Sequence, residues 1–168
     1  MEDTCFVSNW PHPSRATLLS GLAGTAQAAT TTTTFPVTAT VIKACVVSAT
    51  ALAFGNYDPT ASGPTDATST LSVLCTVGTT YTVGLTAGTA SGATVTTRKM
   101  SSGSNLLSYA LYQDSAHTTN WGNTPATDTA AATAPVGTNA LTVYGRITAG
   151  QNVPIGSYSD TITVNVVY

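Results

Sequence analysis

Tyr158-Ser159-Asp160-Thr161-Ile162-Thr163-Val164-Asn165-Val166-Val167-Tyr168 carries the plainest periodicity in the chain. Ile162, Val164, Val166 and Tyr168 fall on one side of an extended backbone, and Thr161, Thr163 and Asn165 on the other. A two-residue period of this kind is that of a half-buried β-strand. Tyr81, Val83, Leu85 and Ala87 repeat the pattern against Thr82, Gly84 and Thr86. Working outward, punctuation by Gly, Pro, Asn and Asp isolates strands at residues 35–47, 69–76, 81–87, 106–113, 140–148 and 158–168. A further short strand is expected at 93–99, whereas the Gly/Ala/Thr-rich stretch 124–138 reads as a surface loop. Nothing beyond residue 29 has helical periodicity or a solenoid repeat, so the chain reads as all-β. Its long connections favour a sandwich with Greek-key crossings over a meander.

The 168 residues, 42% of them hydrophobic, suffice for one sizeable core and leave no room for a second domain. Only 7% are charged, against roughly 25% in an average soluble protein. The surface is therefore made largely of hydroxyls and small side chains. A formal net charge of -2 provides no basic footprint, which excludes nucleic acid as a partner.

Residues 1–28 differ from the rest. A short apolar run from Ala16 ends in Ala26-Gln27-Ala28, a signal-peptide cleavage pattern. The run is too short to cross a bilayer, so export without a stable membrane anchor is expected. Glu2 and Asp3 spoil the positive n-region, with Arg15 the sole cation before the apolar run, as expected if the true start lies downstream. Cleavage before Ala29 removes Cys5 and leaves Cys45 and Cys75. An even count suits an oxidising compartment, where a bond between them would add roughly 3–4 kcal/mol by loop entropy; two buried thiols are the alternative. With no CxxC and His117 the only histidine after residue 28, neither a redox motif nor a metal site is expected, and no cofactor.

Both ends of this region bear on function. The chain stops inside its strongest strand pattern, so the expected immunoglobulin-like sandwich would lack its last strand and expose an open apolar groove. At the other end, residues 29–34 are almost all Thr and lead into Phe35, Val37, Ala39 and Val41, alternating with Pro36, Thr38 and Thr40. Such a segment can add to the sheet edge of a neighbour, or it can be the first strand of its own domain. Pro36 suits an edge in either case.

Phe54-Gly55-Asn56-Tyr57, Leu71-Ser72-Val73-Leu74-Cys75-Thr76, Arg98-Lys99-Met100, Leu107-Ser108-Tyr109-Ala110-Leu111-Tyr112-Gln113-Asp114, Tyr144-Gly145-Arg146-Ile147 and Gly156-Ser157-Tyr158-Ser159-Asp160-Thr161-Ile162-Thr163-Val164 together resemble the spore coat protein U domain family, which includes the pilins of archaic chaperone-usher pili. The resemblance spans residues 35–168. It implies an incomplete immunoglobulin-like β-sandwich lacking its last strand, completed by a donor strand from a neighbouring subunit. A periplasmic chaperone would first fill the groove and an outer-membrane usher would catalyse the exchange, leaving the subunit in a surface pilus that serves adhesion and biofilm formation. Carried over, the donor residues are Phe35, Val37, Ala39 and Val41, and the disulfide joins Cys45 to Cys75. The acceptor groove borders Tyr158, Ile162, Val164, Val166 and Tyr168, with the first strand near residues 41–47 on its other side. The chain then divides into a leader (1–28), a donor extension (29–41) and a pilin-like domain (42–168), and its partners are copies of itself or related pilins.

Catalytic chemistry finds little material. After residue 28 the acids are Asp58, Asp66, Asp114, Asp128 and Asp160, with no Glu. Asp114, Ser115 and His117 stand too close in sequence to converge as a nucleophilic triad and read as a loop. No enzyme is expected. A polymerising subunit and a stand-alone binding module, the latter using Trp121 and Tyr112 as exposed aromatics, are the two classes left. Tyr109 and Tyr112 should face opposite sides of one strand, Asp160 is placed to pair with Arg146 across neighbouring strands, and Arg98 should sit at a strand end with only packing and solvation to account for it.

Overall fold

The computed structural model describes residues 27–168; Cys5 and the expected leader up to residue 26 lie outside them. The chain divides after Ala39 into two units. In the first, residues 27–39 are exposed and carry no regular secondary structure. The second unit, Thr40–Tyr168, is all-β among the described residues: β1 (Cys45–Ala49), β2 (Thr65–Cys75), β3 (Thr80–Leu85), β4 (Arg98–Ser102), β5 (Asn105–Tyr112), β6 (Ala130–Thr133), β7 (Asn139–Ile147) and β8 (Val164–Val167).

Two sheets form, with strand orders β1-β2-β7-β5-β4 and β6-β3-β8. The alternation read from the sequence supplies their inner faces. Leu71 and Val73 of β2, Leu107, Tyr109 and Leu111 of β5, and Val143 and Ile147 of β7 meet Tyr81, Val83 and Leu85 of β3 in one core. At roughly 25 cal/mol per Å² of apolar surface, each such side chain contributes about 1.5–3 kcal/mol. Tyr109 is buried and Tyr112 on the outer face is not, as the period requires. The disulfide joins Cys45 to Cys75, which face each other at the start of the β1–β2 ladder.

Register defines two poles. Cys45 opposes Cys75 and Val73 opposes Asn139 at one, whereas Thr65 opposes Ile147 at the other. Because Leu85 pairs with Val164 and Thr82 with Val167, β8 runs from the second pole back toward the disulfide pole. Ala44 and Ile42 are fastened at the disulfide pole by Thr76, which bonds the Ala44 amide and the Ile42 carbonyl.

Several expectations are corrected. The first strand starts at Cys45 rather than at 35: residues 35–44 carry no regular secondary structure, although Ile42 and Ala44 are bonded to Thr76. The short strand expected at 93–99 begins at Arg98; Thr94 and Thr97 close a turn before it. The presumed loop 124–138 contains β6, whose alanines gave no hydrophobic signal yet pack against the core beside Tyr81 and Val83. In the last segment only Val164–Val167 forms a ladder, with a single bridge from Ser159 to Ser101 ahead of it. Trp121 is not an exposed platform: it is 1% exposed, and its indole Nε1 donates to the Val83 carbonyl at 2.8 Å.

Arg98 departs furthest from expectation. Its side chain is wholly buried, and the guanidinium donates to the carbonyls of Thr86 (2.8 Å), Val95 (2.6 Å), Leu85 (2.9 Å) and Trp121 (2.7 Å). Burial lowers its pKa, against the pull of Tyr109, Asp160 and Asp128, but a guanidinium stays charged at any ordinary pH. Four carbonyls at a point where the strands diverge are thereby satisfied by one side chain. Arg98→Met keeps the volume and orphans all four, so it is expected to destabilise the domain by about 3 kcal/mol or more, read as a lowered denaturant midpoint at unchanged slope.

Candidate functional site

Between the segment after β1 and the segment before β8 the sandwich is open. The gap is a slot of about 970 Å³ whose walls are Leu52, Phe54 and Tyr57 on one side and Tyr158, Ile162 and Val164 on the other. Leu71, Leu85, Leu107, Tyr109 and Ile147 form its floor. Both walls are held from behind. Phe54 packs edge-on against Tyr109 with ring centres 5.9 Å apart, and a Cβ at Gly145 would press into Leu52 and Phe54. The Tyr57 hydroxyl donates to the Thr148 carbonyl and accepts from the Gln151 amide, while the Tyr158 hydroxyl donates to the Pro154 carbonyl.

The backbone of the walls explains the shape. Ser159 exchanges amide and carbonyl bonds with Ser101, and Thr163 is tied to Thr86 through both its carbonyl and its amide. In an extended chain successive residues turn their backbone groups to opposite sides. Asp160 and Ile162 therefore direct theirs toward the slot, and among the described residues neither has a backbone partner. On the facing wall, residues 51–57 make no backbone–backbone hydrogen bond among the described residues, and Gly55, at φ +71°, turns the chain within them. The slot thus has an apolar floor and two unpaired backbone edges, which is the receptor geometry of a β-strand.

Among the residues singled out in the sequence, Tyr158, Ile162 and Val164 line this slot. Val166 packs against the core beyond its end, opposite Val83, and Tyr168 lies elsewhere, near Thr80, Thr82 and Pro125. Phe35, Val37 and Val41 are 80%, 83% and 82% exposed, and Ala39 is exposed beside them. Leu52, Phe54 and Tyr57 were missed as wall residues; the Phe54-Gly55-Asn56-Tyr57 motif was the available signal.

The floor is not uniformly apolar. Asp160 accepts from the Tyr109 hydroxyl at 2.7 Å through Oδ2, and through Oδ1 from the Thr89 amide (2.8 Å), the Thr89 hydroxyl (3.0 Å) and the Thr161 amide (2.8 Å). Burial and this bond push the Tyr109 pKa far up, so its hydroxyl remains a donor. Asp160 does not pair with Arg146. That guanidinium instead holds Asp66, its directly opposed neighbour on β2, in two bonds of 2.7 and 2.6 Å, and this lowers the Asp66 pKa.

Asp114, Ser115 and His117 do form a loop. The Asp114 carboxylate accepts from the Thr118 and Thr119 amides, and His117 packs edge-on against Tyr112 and Tyr144. The Thr119 amide is the largest of the influences that bring Asp114 from 3.8 down to about 2. A carboxyl depressed on folding stabilises the loop above its unfolded pKa and releases it as pH falls through the folded one. Protection of the Thr118 and Thr119 amides, taken relative to intrinsic exchange at each pH, is accordingly expected to hold down to about pH 4 and to be lost between about pH 4 and 2. An Asp114→Asn chain should show no such transition.

Residues 31–165 match the family model of the Spore Coat Protein U domain. The chain is 36% identical over 160 residues to Protein U of Myxococcus xanthus, an alignment that covers 85% of this chain and 88% of that protein. Among solved structures it resembles a chain of the CsuC-CsuE chaperone-tip adhesion subunit pre-assembly complex from archaic chaperone-usher Csu pili of Acinetobacter baumannii, at a TM-score of 0.56 and 26% identity, covering 77% of this chain. It spans 40% of the length of that solved chain. A two-sheet fold with the family's motifs at its slot and disulfide, matched along most of its length by the family model and by Protein U, belongs to the spore coat protein U domain family.

Proposed function

We propose that this protein is a structural, non-enzymatic subunit of a chaperone-usher-type surface pilus, and that it polymerises by inserting residues 35–41 of one copy into the slot of the next. The observation that carries this reading is the slot itself, with unpaired backbone on both walls and an apolar floor. Residues 35–41 suit it. They are exposed, apolar at every second position and free of secondary structure. Extended at about 3.3 Å per residue they measure about 23 Å, the length of the wall from 158 to 164. Main-chain bonds give such a strand its affinity and alternate side chains its specificity.

Placement of the two parts supports assembly between copies. The extension's root, at Ala44, is at the disulfide pole, whereas the slot occupies the opposite half of the sandwich. A donor at one pole and an acceptor at the other make a head-to-tail contact, which repeats into an open filament. Release from such a joint requires breaking a whole strand's hydrogen bonds together, so filaments should be kinetically durable. Until a neighbour arrives the slot exposes apolar surface and strand edges, an aggregation hazard that calls for a transient occupant. The solved relative comes from a chaperone–subunit complex of a pilus. In line with it, the occupant here is a periplasmic chaperone, an outer-membrane usher exchanges it for the donor strand, and the pilus serves adhesion and biofilm formation at the cell surface.

Deleting residues 29–41 is expected to abolish filaments while leaving a chaperone-bound monomer that takes up a synthetic peptide of residues 30–42. Electron microscopy and light scattering read both. Filaments that persist after the deletion, or a monomer indifferent to the peptide, would sink the reading.

A further inference from the structure

The alternate wall residues that face the slot are Tyr158, Asp160, Ile162 and Val164, so a carboxylate stands second from one end of an otherwise apolar row. Asp160 cannot swing aside. The Tyr109 hydroxyl, the Thr89 amide and hydroxyl and the Thr161 amide all hold it, and Gly88, at φ +91°, gives it room that any Cβ would fill. The Asp160–Tyr109 pair is therefore a fixed polar step in the floor.

The direction of an inserted strand follows from the ends of the slot. Beyond Val164, β1 and β8 come into contact, which closes that end of the slot and leaves the Tyr158 end for entry. A donor's residue 41 remains tethered through Ile42 to its own domain, which stays outside. Val41 thus stands at the mouth and Phe35 deepest, and the donor runs antiparallel to residues 158–164.

Resting on the donor-strand reading above, we infer that Val41, Ala39, Val37 and Phe35 face Tyr158, Asp160, Ile162 and Val164 in that order, and that the Asp160–Tyr109 pair admits only a small residue at donor position 39. Ala39 is the one small residue in the donor row. Its methyl group leaves space for water to keep the carboxylate solvated. A larger apolar side chain would overpack the step or strip that water from a charge with no counter-ion in contact, and both are costly. The pair consequently fixes the register of the joint, because a two-residue slip brings Val37 or Val41 onto the carboxylate. It also selects among strands of related subunits by the residue each carries at this position.

Competition of unlabelled peptides of residues 30–42 against a fluorescent wild-type peptide, on the chain lacking residues 29–41, whose own donor cannot occupy a slot, tests this. The Ala39→Leu peptide is expected to bind at least about 10-fold more weakly than wild type, Val37→Leu within about 3-fold, and Ala39→Ser within about 3-fold. On an Asp160→Ala chain the Ala39→Leu penalty should fall below about 3-fold, a coupling that a double-mutant cycle isolates. If that chain does not fold, the peptide series on the chain that keeps Asp160 decides alone. Equal binding of wild-type and Ala39→Leu peptides, or a larger loss for Val37→Leu, overturns the register while leaving the donor reading in place. Failure of the wild-type peptide to bind overturns both.

Discussion

Arg98 sits where the two sheets part and where backbone carbonyls of β3, of the turn before β4 and of the Trp121 segment converge with no strand to receive them. A buried carbonyl without a donor costs about as much as a lost hydrogen bond, and four together would not be tolerated in a domain of marginal stability. One guanidinium, with five donors in a planar fork, answers all of them. Trp121 is placed by the same arrangement, since its carbonyl is bound by Arg98 while its indole reaches Val83. The floor of the slot inherits its rigidity from this point, because Leu85 and Tyr109 pack directly around it.

The slot shows the same constraint left open. Along Asp160 and Ile162 the backbone is held from behind through Ser159 and Thr163, yet its inward groups have no strand beside them, and, among the described residues, 51–57 make no backbone–backbone bond at all. The walls are already in place: Tyr57 is locked to Thr148 and Gln151, Tyr158 to Pro154, and Asp160 to Tyr109 and Thr89. A strand entering a slot prepared in this way would cost less conformational entropy than one entering a site that must order itself, so more of the interaction energy would appear as affinity.

Scarcity of charge shapes the rest. The low charge content leaves loop geometry to hydroxyls and a few aspartates: Asp58 is capped by Thr60, Asp114 by Thr118 and Thr119, and Asp160 by Thr89. The first two fix a local turn without a counter-ion, whereas Asp160 ties together two segments 71 residues apart. The Asp66–Arg146 pair, with His117 close to Asp66, covers the outer face of β2 and β7 above Tyr112 and Tyr144. Exposed pairs of this kind add little stability.

Alternation along single strands was legible in the sequence because it is a local property: the faces of β3 and β5 follow from a two-residue period. The slot was legible only in outline. Tyr158, Ile162 and Val164 were found on the right face, but Leu52, Phe54 and Tyr57 lie in a segment without periodicity and become a wall only when β7 offers Gly145 beneath them. Other features depend on register, which no local pattern encodes. Arg146 meets Asp66 rather than Asp160 because β2 lies beside β7, and the alanines of β6 become a strand because Tyr81 and Val83 accept them. Arg98 looked like a solvated strand end and is the most buried charge described, since only the assembled sandwich brings four carbonyls to one point. The sequence by itself determined the strand class, the two faces of each regular strand and the composition of the surface, whereas the tertiary structure alone decided which polar groups meet, because partners in a sandwich are chosen by pairing across dozens of residues.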